Sequence, residues 1–187
     1  MDDRNDAARV ALTSQLQDYR RRWPQEAGVV EDFLLLLGDP LDPFLRDRLA
    51  GHFTSGAWLV SADGQRILMT HHRKLERWLQ LGGHADGERD MALVALKEAQ
   101  EESGLPGLAV EGEEIFDLDR HWIPERKDVP GHWHYDVRYV VRAGVDESYV
   151  VSEESHDLAW RPIAELANDP DESMSRMARK WLDSLPL

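Results

Sequence analysis

The stretch GGHADGERDMALVALKEAQEESGL, residues 82–105, opens on two glycines and a histidine and closes on three clustered glutamates and another glycine. Within it Ala92, Leu93, Ala95, Leu96 and Ala99 recur at helical spacing, which predicts an amphipathic helix laid on a sheet by that stripe. On such a helix residues three and four apart are neighbours, so Glu98, Glu101 and Glu102 share one face. Like charges at those spacings oppose each other by about 0.2–0.5 kcal/mol per pair. Lys97, the adjacent cation, cannot neutralise three carboxylates. A hard divalent cation can, because carboxylate oxygens with retained waters are the donors Mg²⁺ prefers. The ordinary alternative is a solvated acidic face. The glycines before the helix carry no Cβ and let the backbone approach an anion or a metal closely. Gly104 stands where a helix end needs a left-handed residue.

Taken with those flanks, the segment resembles the Nudix box, Gly-x5-Glu-x7-Arg-Glu-U-x-Glu-Glu-x-Gly-U, where U is a bulky apolar residue. Gly83 begins it, and KEAQEESGL (Lys97–Leu105) matches its second half. The resemblance extends over residues 51 to 167. Two departures stand out. The first glutamate of the box falls on Arg89, with Glu88 one place early, and the box arginine is Lys97, whose ammonium cannot reproduce a planar bidentate contact. Ala99 also replaces a bulkier apolar residue.

The resemblance implies hydrolysis of a phosphoanhydride bond in a nucleoside diphosphate linked to another moiety: a nucleotide sugar, ADP-ribose, a dinucleoside polyphosphate or a nucleoside triphosphate. Glu98 and Glu102 are then the expected ligands of Mg²⁺ (or Mn²⁺), with Glu101 a third and the Gly83 carbonyl a fourth. Such a reaction needs charge neutralisation and positioning more than covalent participation. In SEESH (Ser152–His156) either Glu153 or Glu154 offers a general base, and the competing reading is a solvated acidic loop. A Nudix-type isoprenoid isomerase would need a cysteine, and the chain has none. A catalytically weak nucleotide-binding sensor is the alternative that Arg89 sustains, whereas the retained glutamates favour catalysis.

The rest of the chain frames this segment. Its net charge of −14 and pI near 4.9 argue against a duplex nucleic acid partner. A small anionic nucleotide remains compatible, since a bound cation reverses the local field. Without cysteine there is neither a disulfide framework nor a thiolate metal site. MDDRNDAARV lacks the basic start and apolar run of a signal peptide, and FLLLL (Phe33–Leu37) is too short to span a membrane, so a cytoplasmic protein is expected.

Residues 1–50 read as a helical extension: two helices divided by Pro24, a stop at GDPLDP (Gly38–Pro43), and a short helix at Phe44–Leu49. Residues 51–187 read as the Nudix-like domain. Asp63-Gly64 joins two strands, RWLQLGG (Arg77–Gly83) is another, and strand patterns return near Phe116 and over Trp133–Ala143. LAWRPIAEL (Leu158–Leu166) reads as a strand running into a helix, and Met174–Leu185 as a final amphipathic helix. The fold class is therefore α/β (α+β), a Nudix-like α/β/α sandwich with a mixed sheet plus an N-terminal helical extension. The extension carries more apolar residues than two short helices bury alone, among them Phe33, Leu34, Leu36, Leu37 and Phe44. It must pack on its own domain or on a second subunit, and a homodimer is expected.

For the substrate, Arg73 and Arg138 are the expected phosphate contacts. His134 is expected to meet sugar or base, and Trp122 to stack at the cleft rim. His71, His72, Arg73 and Lys74 form a basic cluster that also reads as a surface turn. Trp58, Trp78 and Trp160 read as core. His132 and His134 alternate on one strand face, but the sequence shows no third partner for a zinc site.

Overall fold

The computed structural model describes residues 3–73, 76–126, 129–152 and 155–185. Glu153, Glu154 and Lys74, singled out above, lie outside them. Helix α1 (Asp3–Arg22) and helix α2 (Ala27–Leu37) are separated at Trp23 by a 3-10 turn, Pro24–Glu26, where proline has no N–H to continue the first helix. Seven strands follow: β1 (Gly51–Val60), β2 (Arg66–His72), β3 (Arg77–His84), β4 (Ala109–Val110), β5 (Asp117–Ile123), β6 (His132–Arg142) and β7 (Ser155–Pro162). Helix α3 (Met91–Ser103) comes between β3 and β4, and α4 (Ile163–Leu166) and α5 (Glu172–Ser184) close the chain. The strands hydrogen-bond in the order β4-β6-β1-β3-β2-β7, with β5 on β6. This is the α/β class with a mixed sheet that the interspersed pattern requires. No helix among the described residues is long and apolar enough to cross a membrane.

Contacts divide the chain into two compact units, Met1–Gly56 with Gly83–Val94 and Glu113–Tyr139, and Ala57–Gly82 with Ala95–Gly112 and Val140–Leu187. In the first, the extension is buried against its own chain. Val30, Phe33, Leu36, Leu37 and Phe44 are all 4% exposed or less, and Leu34 is half-buried. Phe33 packs on Phe53 and Tyr135 with ring centroids 6.0 and 5.3 Å away, and Phe44 lies 5.2 Å from Phe53. Polar ties accompany the packing: Arg120 pairs with Asp32 at 2.6 Å, and the Tyr139 hydroxyl donates to Gln15 at 2.9 Å. The residues that suggested a second subunit are thus satisfied within one chain.

The helix expected at Phe44–Leu49 is instead a run of turns. Its carbonyls are spent elsewhere, Pro43 accepting from the Phe53 N–H at 2.8 Å and Phe44 from the Gly87 N–H at 2.9 Å.

In the second unit β2 pairs antiparallel with β3 (Met69 with Gln80 through His72 with Arg77) and with β7 (Arg66 with Pro162 through His72 with Ser155). Gly64 takes φ +72° in the turn between β1 and β2, a conformation that favours glycine. Its carbonyl accepts the indole N–H of Trp181 at 2.8 Å. Asp171 caps α5 by accepting from the Met174 N–H, and Met174, Met177, Ala178 and Trp181 are its buried apolar residues. Of the three tryptophans read as core, only Trp58 is fully buried. Trp78 and Trp160 are half-buried, with Arg161 5.0 Å and Arg66 5.5 Å from their respective ring centres.

Candidate active site

Helix α3 starts at Asp90, whose carboxylate accepts from the N–H groups of Ala92 and Leu93, both at 3.1 Å. It stops at Gly104, which takes φ +65° while its N–H donates to the Gln100 carbonyl at 2.9 Å. The buried stripe differs from the sequence expectation. Met91, Val94, Ala95, Ala99 and Ser103 are buried, Ala92 and Leu96 are half-buried, and Leu93 is 48% exposed. The helix is turned so that Met91 and Val94 face inward while Leu93 faces out.

That rotation separates the three glutamates. Glu98 and Glu102, one turn apart, continue the buried arc: Glu98 is half-buried and Glu102 is 9% exposed. Glu102 Oε1 accepts the backbone N–H of Gly82 at 2.8 Å, a charge-assisted bond that orients the carboxylate. Glu101 points to solvent and lies 3.8 Å from Lys97, an exposed pair that contributes little.

Arg89 is committed to the extension. Its Nη1 and Nη2 reach the two oxygens of Asp42 at 2.8 and 2.6 Å, and its guanidinium lies 4.8 Å from the centre of the Phe44 ring. Burial works to raise the Asp42 carboxyl, but hydrogen bonds from Arg89 and the Phe44 N–H, with the charge of Arg89, hold it below its ordinary value. Glu88 accepts from the N–H groups of Arg89 and Asp90 at 2.6 and 3.0 Å, so its carboxylate folds back on its own backbone.

The expected substrate residues fare differently. Arg138 is no phosphate contact: it is 3% exposed and bonded to Asp136 at 2.7 Å, Asp117 at 3.0 Å and Asp119 at 3.3 Å. Those carboxylates keep it charged although burial alone would oppose this. Arg73 donates to the Ser155 carbonyl at 3.2 Å from an exposed position. His71 stacks near Trp78 and His156, with ring centres 5.2 and 5.5 Å away. Trp122 is 51% exposed and meets Trp133 edge-on at 5.3 Å. His134 lies among His52, His84, His121 and His132, every ring centre within 5.4 Å of its own or of His52. Burial first, then the neighbouring His84 and His121, pushes the His134 imidazole down to about 2. Burial and Arg46 lower His84 to about 4, and burial lowers His52. His52 and His84 escaped the sequence reading because each stands on a different strand, and only pairing brings them to His132 and His134.

The NUDIX domain model matches residues 51–184. The chain belongs to the Nudix family. As a Nudix protein it is a pyrophosphohydrolase. No curated protein matches the chain. Solved structures share its fold: a Clostridium perfringens hydrolase of the Nudix family is 24% identical and matches 70% of this chain and 95% of its own, with a TM-score of 0.51. A MutT protein from Methanosarcina mazei is 13% identical over 73% of this chain and 96% of its own, with a TM-score of 0.55. A C. elegans Ap4A hydrolase, in a binary complex, is 14% identical over 70% and 95%, with a TM-score of 0.53.

Proposed function

We propose that this Nudix protein cleaves the phosphoanhydride of a small nucleotide, a nucleoside diphosphate linked to another moiety, with Glu98 and Glu102 holding Mg²⁺ (or Mn²⁺). The observation that carries the reading is the pair of carboxylates at the edge of the buried arc of α3, one of them locked by the Gly82 N–H. An oxygen-only donor set on a rigid helix suits a hard divalent ion. When bound, that ion would neutralise phosphate charge and lower the pKa of a water nucleophile. The chain's own part is orientation: the Gly82 N–H fixes Glu102, and Asp90 and Gly104 fix the ends of the helix that carries it. Glu101, on the solvent side with Lys97, is proposed as a supporting charge. The Gly83 carbonyl completes the proposed donors. Arg73 and Trp122 are the proposed substrate contacts, Trp122 presenting an exposed indole to a base. Glu154 is the proposed general base. The sensor reading draws on the first half of the box, where Arg89 and Glu88 are both spent on local bonds.

The test is hydrolysis of nucleotide sugars, ADP-ribose, dinucleoside polyphosphates and nucleoside triphosphates with Mg²⁺ or Mn²⁺, comparing the intact chain with Glu98→Gln and Glu102→Gln. Glutamine keeps an acceptor for the Gly82 N–H, so the fold should persist while kcat falls at least about 100-fold. Near wild-type turnover in both variants at saturating Mg²⁺ would sink the site. Nucleotide binding without turnover of any compound would favour the sensor.

A further inference from the structure

Four histidines converge from three strands: His52 on β1, His84 at the end of β3, and His132 and His134 two apart on β6. Ring centres of His52, His132 and His134 lie 5.0–5.1 Å apart, and His84 lies 5.2 Å from His52 and 5.0 Å from His134. One ring nitrogen from each of His52, His132 and His134 falls within 4.8 Å of the other two.

The hydrogen bonds decide which nitrogens these are. Nδ1 of His52 meets the Arg48 carbonyl at 3.3 Å, and Nδ1 of His132 meets the Pro130 carbonyl at 2.8 Å. A carbonyl only accepts, so both Nδ1 atoms carry the proton and both Nε2 atoms present a lone pair. His52 Nε2 is buried and has no hydrogen-bond partner among the described residues. His132 Nε2 faces His134 Nε2 at 3.1 Å. A neutral His134 satisfies that contact by donating its Nε2–H to His132, but the buried His52 Nε2 beside the pair is an unmet acceptor, which is unfavourable unless something electropositive joins it. Backbone carbonyls that fix the far nitrogen are the usual outer support of a metal-binding imidazole.

We propose that His52, His132 and His134 bind a divalent transition-metal ion of the Zn²⁺ kind through their Nε2 atoms, with His84 adjoining as a fourth donor. Metal–nitrogen bonds of about 2.0–2.1 Å require the three nitrogens to close by no more than about 1 Å each. An all-imidazole set selects a borderline ion and disfavours Mg²⁺, which takes oxygen, so this site is separate in chemistry from the carboxylates of α3. The inference does not depend on the hydrolase reading.

The full-length protein, stripped of metal, is titrated with Zn²⁺ against a chromophoric chelator and with Co²⁺ while its visible absorption is recorded, both in excess Mg²⁺. One tight equivalent is expected, with the ligand-field bands of a nitrogen-bound, low-coordinate Co²⁺, and a rise in Tm with Zn²⁺. His52→Ala should weaken Zn²⁺ by about 100-fold or more. His134→Gln, at a half-buried position, should do the same should His52→Ala fail to fold. His156→Ala, outside the cluster, and Glu98→Gln with Glu102→Gln should keep both the equivalent and the spectrum. Binding unchanged in His52→Ala or His134→Gln overturns the proposal. So does Zn²⁺ binding only at millimolar concentration, or loss of the Co²⁺ bands in the glutamate variants.

Discussion

Arg89→Glu restores the residue the Nudix box calls for, and sequence logic alone expects it to tighten metal binding. The structure reverses that expectation. Both guanidinium nitrogens are bonded to Asp42, and the two side chains are only 27% and 24% exposed. Hydrogen bonds to charged groups contribute about 1.5–3 kcal/mol, and the contact with Phe44 adds about 0.5–1 kcal/mol. A glutamate here loses both and faces Asp42 with like charge. Allowing for partial solvent screening, the cost should be about 2–4 kcal/mol, read as a Tm lower by about 5–12 °C for a chain of this size. Urea denaturation with an unchanged m-value is the assay.

A pH series supplies the control for Arg89→Glu. Asp42 titrates below its ordinary value in the folded protein, so the pair's stabilisation is present above the unfolded pKa and is lost as pH falls through the folded one. The gap between wild type and Arg89→Met should therefore close in acid. Loss of less than about 0.5 kcal/mol in Arg89→Glu would refute the reasoning, given what such a pair contributes. A Mg²⁺ activation curve shifted to lower concentration would do so as well.

Three further outcomes follow from the packing. Arg138→Met leaves Asp117, Asp119 and Asp136 without their shared cation, and should cost about 3–5 kcal/mol by chemical denaturation. Gly51→Ala should cost about 1–3 kcal/mol, because the residue sits at φ +154° and a Cβ there would lie 2.8 Å from the Trp133 carbonyl oxygen. A chain starting at Gly51 should lose its cooperative thermal transition or aggregate, since Phe53, Tyr135 and Tyr139 lose the extension that covers them. Light scattering of the intact chain at the same time reads whether Leu35, Leu41, Leu45 and Leu49, which stay exposed, bring two copies together.

The box was legible in the sequence because it is local. Helix spacing, the cap at Gly104 and the grouping of glutamates all act within a few turns of chain, and Gly104 does adopt the left-handed conformation its position demanded. The strand-turn-strand at Asp63-Gly64 was legible for the same reason, turn chemistry being a property of neighbouring residues. What a residue does across strands or between distant segments was not written there. Arg138 read as a phosphate contact until pairing set it against Asp117 and Asp119. Arg89 read as a missing glutamate until the turn at Asp42 met it. Glu98, Glu101 and Glu102 read as one patch, and only the packing of Met91 and Val94 made one of them solvent-facing and another buried. His132 and His134 looked like two ligands without a third, because His52 is 80 residues away along the chain and adjacent only once β1 and β6 join the sheet. Period and propensity act over a few residues, whereas burial and charge pairing depend on which distant groups the fold brings within a few ångströms.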